Sequence, residues 1–282
     1  MSPFFPRAPW RPLGFTLFMA LWLLVGCQPR GYRLDTSHQA RSQDDRITVL
    51  VLHYTADDFD RSLATLAQGP VSAHYLVPVP QDGRAPTVLQ LVDESRRAWH
   101  AGESSWRGRT HLNDTSIGIE MENDGYRRGA DGALQWAPWP PQQVTVVVAL
   151  CRDILRRHPI TPLNVVGHSD IAWRRKQDPG PLFPWQQLAA AGIGVWPPAA
   201  RVRYFLAGRD PQAPVPAAAI LRGMAQLGYD VTPDMPQTLQ RRALRAFQMH
   251  YRPSDYRGLP DAQTLAVLQA LLEIDAGERR GG

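Results

Sequence analysis

Cysteine, lysine and long apolar runs are all scarce in this chain. Its 282 residues hold two cysteines, Cys27 and Cys151. Cys27 closes an N-terminal apolar run and Cys151 lies inside an apolar helical pattern, which excludes a disulfide framework. The apolar run, residues 15–25, falls short of the ~20 residues that a membrane-spanning helix needs. Lysine is almost absent: Lys176 is the sole one among 31 basic residues, the rest being arginine. The net charge is only +5, and no basic cluster is interleaved with aromatics along a groove-sized element. That excludes the usual signature of a nucleic-acid partner.

What is present suits an ordinary folded protein. Apolar residues make up 44% and charged residues 20% of the chain, enough to build a core, with room for one large domain and one small one. Residues 1–26 read as an export signal: positive charge only at Arg7 and Arg11, then the apolar run, then Gly26 and Cys27. Leu24, Val25, Gly26 and Cys27 resemble the lipobox of bacterial lipoproteins. The resemblance implies cleavage before Cys27, acylation of its thiol and a lipid-anchored, exported protein. Gln28, rather than Asp, follows the cysteine, which in such proteins implies the outer membrane, with the folded part facing the periplasm. Without the signal the chain keeps 29 basic against 26 acidic residues, an excess that suits an anionic polymer without singling one out.

Residues 27–45 are polar and aperiodic, as expected of a tether. Short apolar runs then predict strands over 47–53, 71–78, 87–92, 116–122 and 163–167. The clearest helix is expected at Pro141–Arg157, entered by proline and closed by Arg156, Arg157 and His158, whose charges oppose the helix dipole. Strands and helices mixed in this way indicate an α/β fold, a mixed central sheet flanked by helices, over residues 46–196. Residues 197–216 carry five prolines and no period, and read as a linker. Over 217–276, apolar residues at helical spacing predict a small three-helix domain.

A hydrolytic metal site needs three side-chain ligands on rigid elements and an open position facing a cleft. His53 ends the run ITVLVLHYT and His168 ends NVVGHSD, so both imidazoles project from the carboxyl ends of apolar strands. Asp178 follows ten residues later in a loop stiffened by Pro179, Gly180 and Pro181. In SIGIEMEN, strand alternation puts Gly118, Glu120 and Glu122 on one face and Ile117, Ile119 and Met121 on the other. Lys176 lies in the same loop as Asp178, where a compact ammonium could approach a developing oxyanion. Arg174 and Arg175 beside it belong to a solvated face or to substrate carboxylates. Trp99, Trp106, Trp136 and Trp139 are either packing residues or sugar-stacking ones. Asn113 and Asp114 read as turn residues.

The order HYT, SAHYLV, WHAG, NDTSIGIE and GHSDIAWRRKQDPGP resembles the zinc-dependent N-acetylmuramoyl-L-alanine amidases, whose fold is shared with phage amidase lysozymes and peptidoglycan-recognition proteins. The likeness covers residues 46–196. It implies that His53, His168 and Asp178 ligate Zn2+, that Glu120 is a base, that Lys176 helps electrostatically, and that His74 and His100 line the pocket. The substrate it implies is peptidoglycan or its muropeptides, cut between N-acetylmuramic acid and L-alanine. ILRGMAQLGYDV, RRALRAFQMHY and GLPDAQTLAVLQALL are similar to the three-helix peptidoglycan-binding module, with a stabilising helical cap as the plainer alternative. Two rival readings stay open at this point: a non-catalytic peptidoglycan-binding lipoprotein, and a structural tether between membrane and wall. Oligomeric state is not legible in the sequence.

Overall fold

The computed structural model describes residues 32–81 and 83–281. Cys27 and the signal segment lie outside the described residues. The chain divides into two units, Met1–Gln43 and Asp44–Gly282. In the first, residues 32–43 are exposed and form neither helix nor strand.

The second unit is built on a five-stranded sheet. Its strands are β1 (Val49–Tyr54), β2 (Tyr75–Val77), β3 (Leu89–Gln90), β6 (Ser116–Met121) and β9 (Val165–Gly167). Two short hairpins stand apart from it: β4 (Ser105–Trp106) with β5 (Arg109–Thr110), and β7 (Tyr126–Arg128) with β8 (Leu134–Trp136). The sheet order is β3-β2-β6-β1-β9, parallel except for β3, so the expected mixed sheet is present. The strands at 71–78, 87–92 and 163–167 are shorter than expected. His74 spends both ring nitrogens on loop and strand backbone just before β2, and Pro162 opens a helical turn through Asn164 before β9.

Among the described residues the α-helices are α1 (Phe59–Gln68), α2 (Pro141–Arg157), α3 (His168–Ile171), α4 (Trp185–Ala190), α5 (Ala199–Leu206), α6 (Ala217–Leu227), α7 (Gln237–Tyr251) and α8 (Ala262–Gly281). α2 has the expected bounds, with Val144, Val147, Cys151 and Ile154 along its buried stripe. Cys151 is a free, buried thiol, and burial pushes it up to about 12. α5 departs from the expected aperiodic linker. It buries no residue fully, so no amphipathic stripe marks it in the sequence, and Pro198 and Ala207 bound it.

Because β1 lies inside the sheet, between β6 and β9, its side chains alternate between two cores. Leu50 and Leu52 pack with the stripe of α2, whereas Val49 and Val51 belong to one cluster with Ile220, Met224, Phe247 and Leu268 of α6, α7 and α8. Each such apolar side chain contributes ~1.5–3 kcal/mol on burial. The three C-terminal helices therefore share a core with one face of the sheet, together with Trp106, Leu112, Ile171 and Trp173. Arg107 reinforces this packing, pairing with the buried Asp275 of α8 at 2.7 Å while its amide donates to the Gly228 carbonyl.

Candidate metal centre

β1 and β9 end side by side, and their register carries His53 and His168 to the same edge of the sheet. The loop after α3 returns Asp178 to that edge, where its carbonyl accepts from the Ser169 amide. His53 Nδ1 and His168 Nδ1 lie 2.9 Å apart, and Asp178 Oδ2 lies 3.1 and 3.0 Å from them. All three residues are buried, and their donor atoms can converge on one ion.

The protons around this triangle follow from outer hydrogen bonds. His168 Nε2–H donates to the Ala101 carbonyl at 3.1 Å, which leaves Nδ1 with a lone pair. Ser116 Oγ–H donates to the Leu112 carbonyl, so the same oxygen accepts from His100 Nε2–H at 3.1 Å. His100 Nδ1 then accepts from His53 Nε2–H at 3.0 Å, and the His53 Nδ1 lone pair is also turned inward. Two imidazole lone pairs and a carboxylate facing one another at ~3 Å repel unless a cation lies among them. Two nitrogens and one oxygen, each oriented from behind, fit the three-ligand set of a catalytic zinc.

The electrostatics agree. Burial, and then the charge of His168, push His53 down to about 4, keeping it neutral. Burial acts to raise the Asp178 carboxyl, but the charge and hydrogen bonds of the two histidines prevail and hold it well below the usual carboxylate range. Burial raises the Glu120 carboxyl well above its ordinary value, helped by Asp178 and opposed by Lys176.

Glu120 and Glu122, which strand alternation cannot rank, separate here. Glu120 Oε1 lies 4.0 Å from His53 Nδ1, and its buried Oε2 has no hydrogen-bond partner. Glu122 Oε2 accepts from the Val79 amide at 2.6 Å. Lys176 joins Glu120, His168, Asp178 and Trp99 in lining a cleft of about 250 Å³. Of the four tryptophans, Trp99 is the half-exposed one at the cleft, with the Arg97 guanidinium over its ring. Trp106, Trp136 and Trp139 pack on Tyr229, Tyr126 and Phe183.

His74 is placed as a structural residue: Nδ1 accepts from the Gly118 amide and Nε2–H donates to the Arg96 carbonyl. His100 lines the cleft and stands behind His53. Gly118 makes that position possible, since a Cβ there would lie 2.4 Å from the His100 ring. Asn113, read as a turn residue, holds the same segment by accepting from the His100 and Ala101 amides.

Sequence reading missed Asp170. It is buried in the metal loop, with Oδ2 accepting from the Gly167 amide at 2.7 Å and lying 2.7 Å from His250 Nδ1, while Oδ1 accepts from Tyr229 Oη–H at 2.5 Å. Tyr229 and His250 belong to the C-terminal segment, so that segment braces the loop carrying His168. These partners of Asp170 lie 59 and 80 residues away, beyond any local sequence pattern.

A parallel sheet edge bearing this donor set, with an unpartnered carboxylate beside it, is the layout of a metal-assisted hydrolase. The family model described as N-acetylmuramoyl-L-alanine amidase matches residues 43–181. N-acetylmuramoyl-L-alanine amidase AmiD of Escherichia coli is 54% identical over 268 residues, covering 92% of this chain and 97% of that protein. The chain belongs to the N-acetylmuramoyl-L-alanine amidase family. The solved complex of the E. coli AmiD with the substrate anhydro-N-acetylmuramic acid-L-Ala-D-gamma-Glu-L-Lys superposes with a TM-score of 0.82 at 56% identity, covering 86% of this chain and 95% of that one. AmpDh3 of Pseudomonas aeruginosa, solved with anhydromuramic pentapeptide, gives 0.78 at 42% identity, covering 86% and 98%.

Proposed function

We propose that this chain is a zinc-dependent amidase that hydrolyses the bond between the lactyl group of N-acetylmuramic acid and L-alanine, in peptidoglycan or in anhydro-muropeptides, for cell-wall turnover or recycling. The convergence of His53, His168 and Asp178, each oriented from behind, carries the reading. Likeness to the E. coli protein over nearly the whole chain supports it.

His53, His168 and Asp178 would hold the ion. Bound there, zinc supplies Lewis acidity at the scissile carbonyl and lowers the pKa of water. Glu120, raised by burial and free at Oε2, takes the proton from the attacking water and delivers it to the departing amine. The Lys176 ammonium offsets the negative charge that develops on the carbonyl oxygen in a partly dry cleft. The C–O bond forms first and the C–N bond breaks afterwards, as the amine takes up its proton, and no residue of the chain is acylated. A complete donor set argues against the non-catalytic binding reading.

We also assign Cys27 as the lipid-bearing residue and the outer membrane, periplasmic side, as the location. The exposed residues 32–43 ahead of the compact unit suit a tether. Among the described residues no helix is long and apolar enough to cross a membrane.

The test is product analysis on defined muropeptides. Release of free stem peptide, abolished by a chelator and restored by zinc, is expected; muropeptides left intact by the zinc-loaded protein overturn the reading. For the anchor, Cys27→Ala is expected to move the protein from the membrane pellet to the soluble fraction, and unchanged pelleting overturns that assignment.

A further inference from the structure

Beside the catalytic cleft runs a second groove of about 680 Å³ between the metal loop and α7, and no acidic side chain lines it. Arg128, Arg175, Lys176, Arg241, Arg242 and Arg245 converge there, and among the described residues none of the six has a carboxylate within ion-pair distance. Only Arg174 and Arg257, also in its wall, are spent on Asp230 and Asp255.

The guanidinium groups are held by neutral acceptors. Arg175 donates to the Ala101 and Glu103 carbonyls, Arg241 to that of Arg257, and Arg242 to that of Arg174. Arg245 faces the Tyr256 ring, and its buried Nε has no partner at all. Carbonyl acceptors fix a guanidinium without cancelling its charge. Collecting six cations in one concavity costs repulsion that solvent and salt screen in part and that an anionic occupant relieves directly.

We propose that this groove is a second binding site, for the free carboxylates of polymeric peptidoglycan lying beyond the repeat being cleaved. The inference rests on the amidase reading. Stem peptides supply the charge: in the substrate of the E. coli complex, a γ-linked glutamate leaves its α-carboxylate free and the last residue adds a second. The groove and the catalytic cleft share one lining residue, Lys176. A polymer threaded through the groove therefore passes the reacting bond, whereas a single muropeptide ends within the cleft. A concave channel with Trp173 and Tyr256 in its wall fits a chain rather than a flat anionic membrane.

The test compares the zinc-loaded wild type with R128Q/R242Q/R245Q, which touches none of the proposed catalytic groups. On soluble polymeric peptidoglycan kcat/KM is expected to fall about 10-fold at ~0.05 M salt, and the gap to close near ~0.5 M as screening removes the attraction. On a single anhydro-muropeptide the change is expected to stay within about 2-fold. Sedimentation with purified wall sacculi, in an E120Q background that needs no turnover, is expected to weaken in parallel. Equal losses on both substrates, or full retention on the polymer, overturn the proposal. So does lost binding to phosphatidylglycerol vesicles with wall binding intact, which would make the groove a membrane contact. Should the triple variant melt well below the wild type, R242E alone carries the same comparison. If the wild type cleaves neither substrate the amidase reading fails, while sedimentation still decides the groove.

Discussion

Glu120 stands a few ångströms from the metal-ligand triangle with a carboxylate oxygen that no protein group satisfies. An acid in that position is suited to moving a proton rather than to holding the ion. Glu120→Gln is therefore expected to keep one zinc per chain, by metal analysis, while turnover drops ~10³-fold. Loss of the zinc, or near-normal turnover, would move the base elsewhere. His100 acts one shell further out, presenting a lone pair to His53 Nε2–H. Replacing it with phenylalanine should weaken zinc affinity by ~10–100-fold in a chelator competition. Unaltered affinity would show that the His53 tautomer is fixed without it. At Lys176 an arginine keeps the charge but not the compact ammonium, so Lys176→Arg should lower kcat much more than it raises KM.

At the level of single elements, the loop from α3 to Asp178 is anchored by atoms far away in the chain. Tyr229 supplies one of the three donors around the buried Asp170. Tyr229→Phe should cost ~1–3 kcal/mol in urea unfolding and lower zinc affinity alongside. A full stability loss with unchanged affinity would mean that the brace does not reach the metal. This loop also marks the boundary of what the sequence reveals. His53, His168 and Asp178 are legible through the likeness of HYT and GHSDIAWRRKQDPGP to the amidase motifs, with which the strand ends at the two histidines and the prolines beside Asp178 agree. α2 is legible from its stripe and its ends. Glu120 could not be told from Glu122 by alternation, since the Val79 amide that engages Glu122 comes from a neighbouring strand's loop. α5 escaped because no face of it is fully buried. The separate roles of His74 and His100 depend on which backbone groups lie opposite their rings, information that only tertiary placement carries.

For the molecule as a whole, the C-terminal helices share one core with the first strand of the sheet. Removing residues 217–282 would take away much of the core that Val49 and Val51 belong to, strip Asp170 of two partners and leave Arg107 without Asp275. The truncated protein is expected to be insoluble or molten in near-ultraviolet circular dichroism; a soluble, cooperative, zinc-binding truncation would contradict this. Glu94 contributes to acid stability. Burial acts to raise it, but hydrogen bonds from Arg157, Tyr75 and His158 hold it down to about 2. Its folded value lies below that of the unfolded chain, so its contribution is complete above pH ~4.5 and fades as the pH falls toward ~2. Glu94→Gln should cost about 1 kcal/mol at neutral pH, discounted for partial exposure. The gap from wild type in urea midpoint should shrink through that acid window, and a constant gap would exclude the linkage.

One core joins Val51 in the first strand of the sheet to Leu271 in the last helix. During synthesis that core is completed only when nearly the entire polypeptide has been made, although Ala101, Trp106, Leu112 and Trp173 reach it earlier. Contacts of such separation make for slow acquisition of the native state, because a long loop must close before any of them is rewarded. A waiting chain with part of that core still exposed is also a natural client for chaperones.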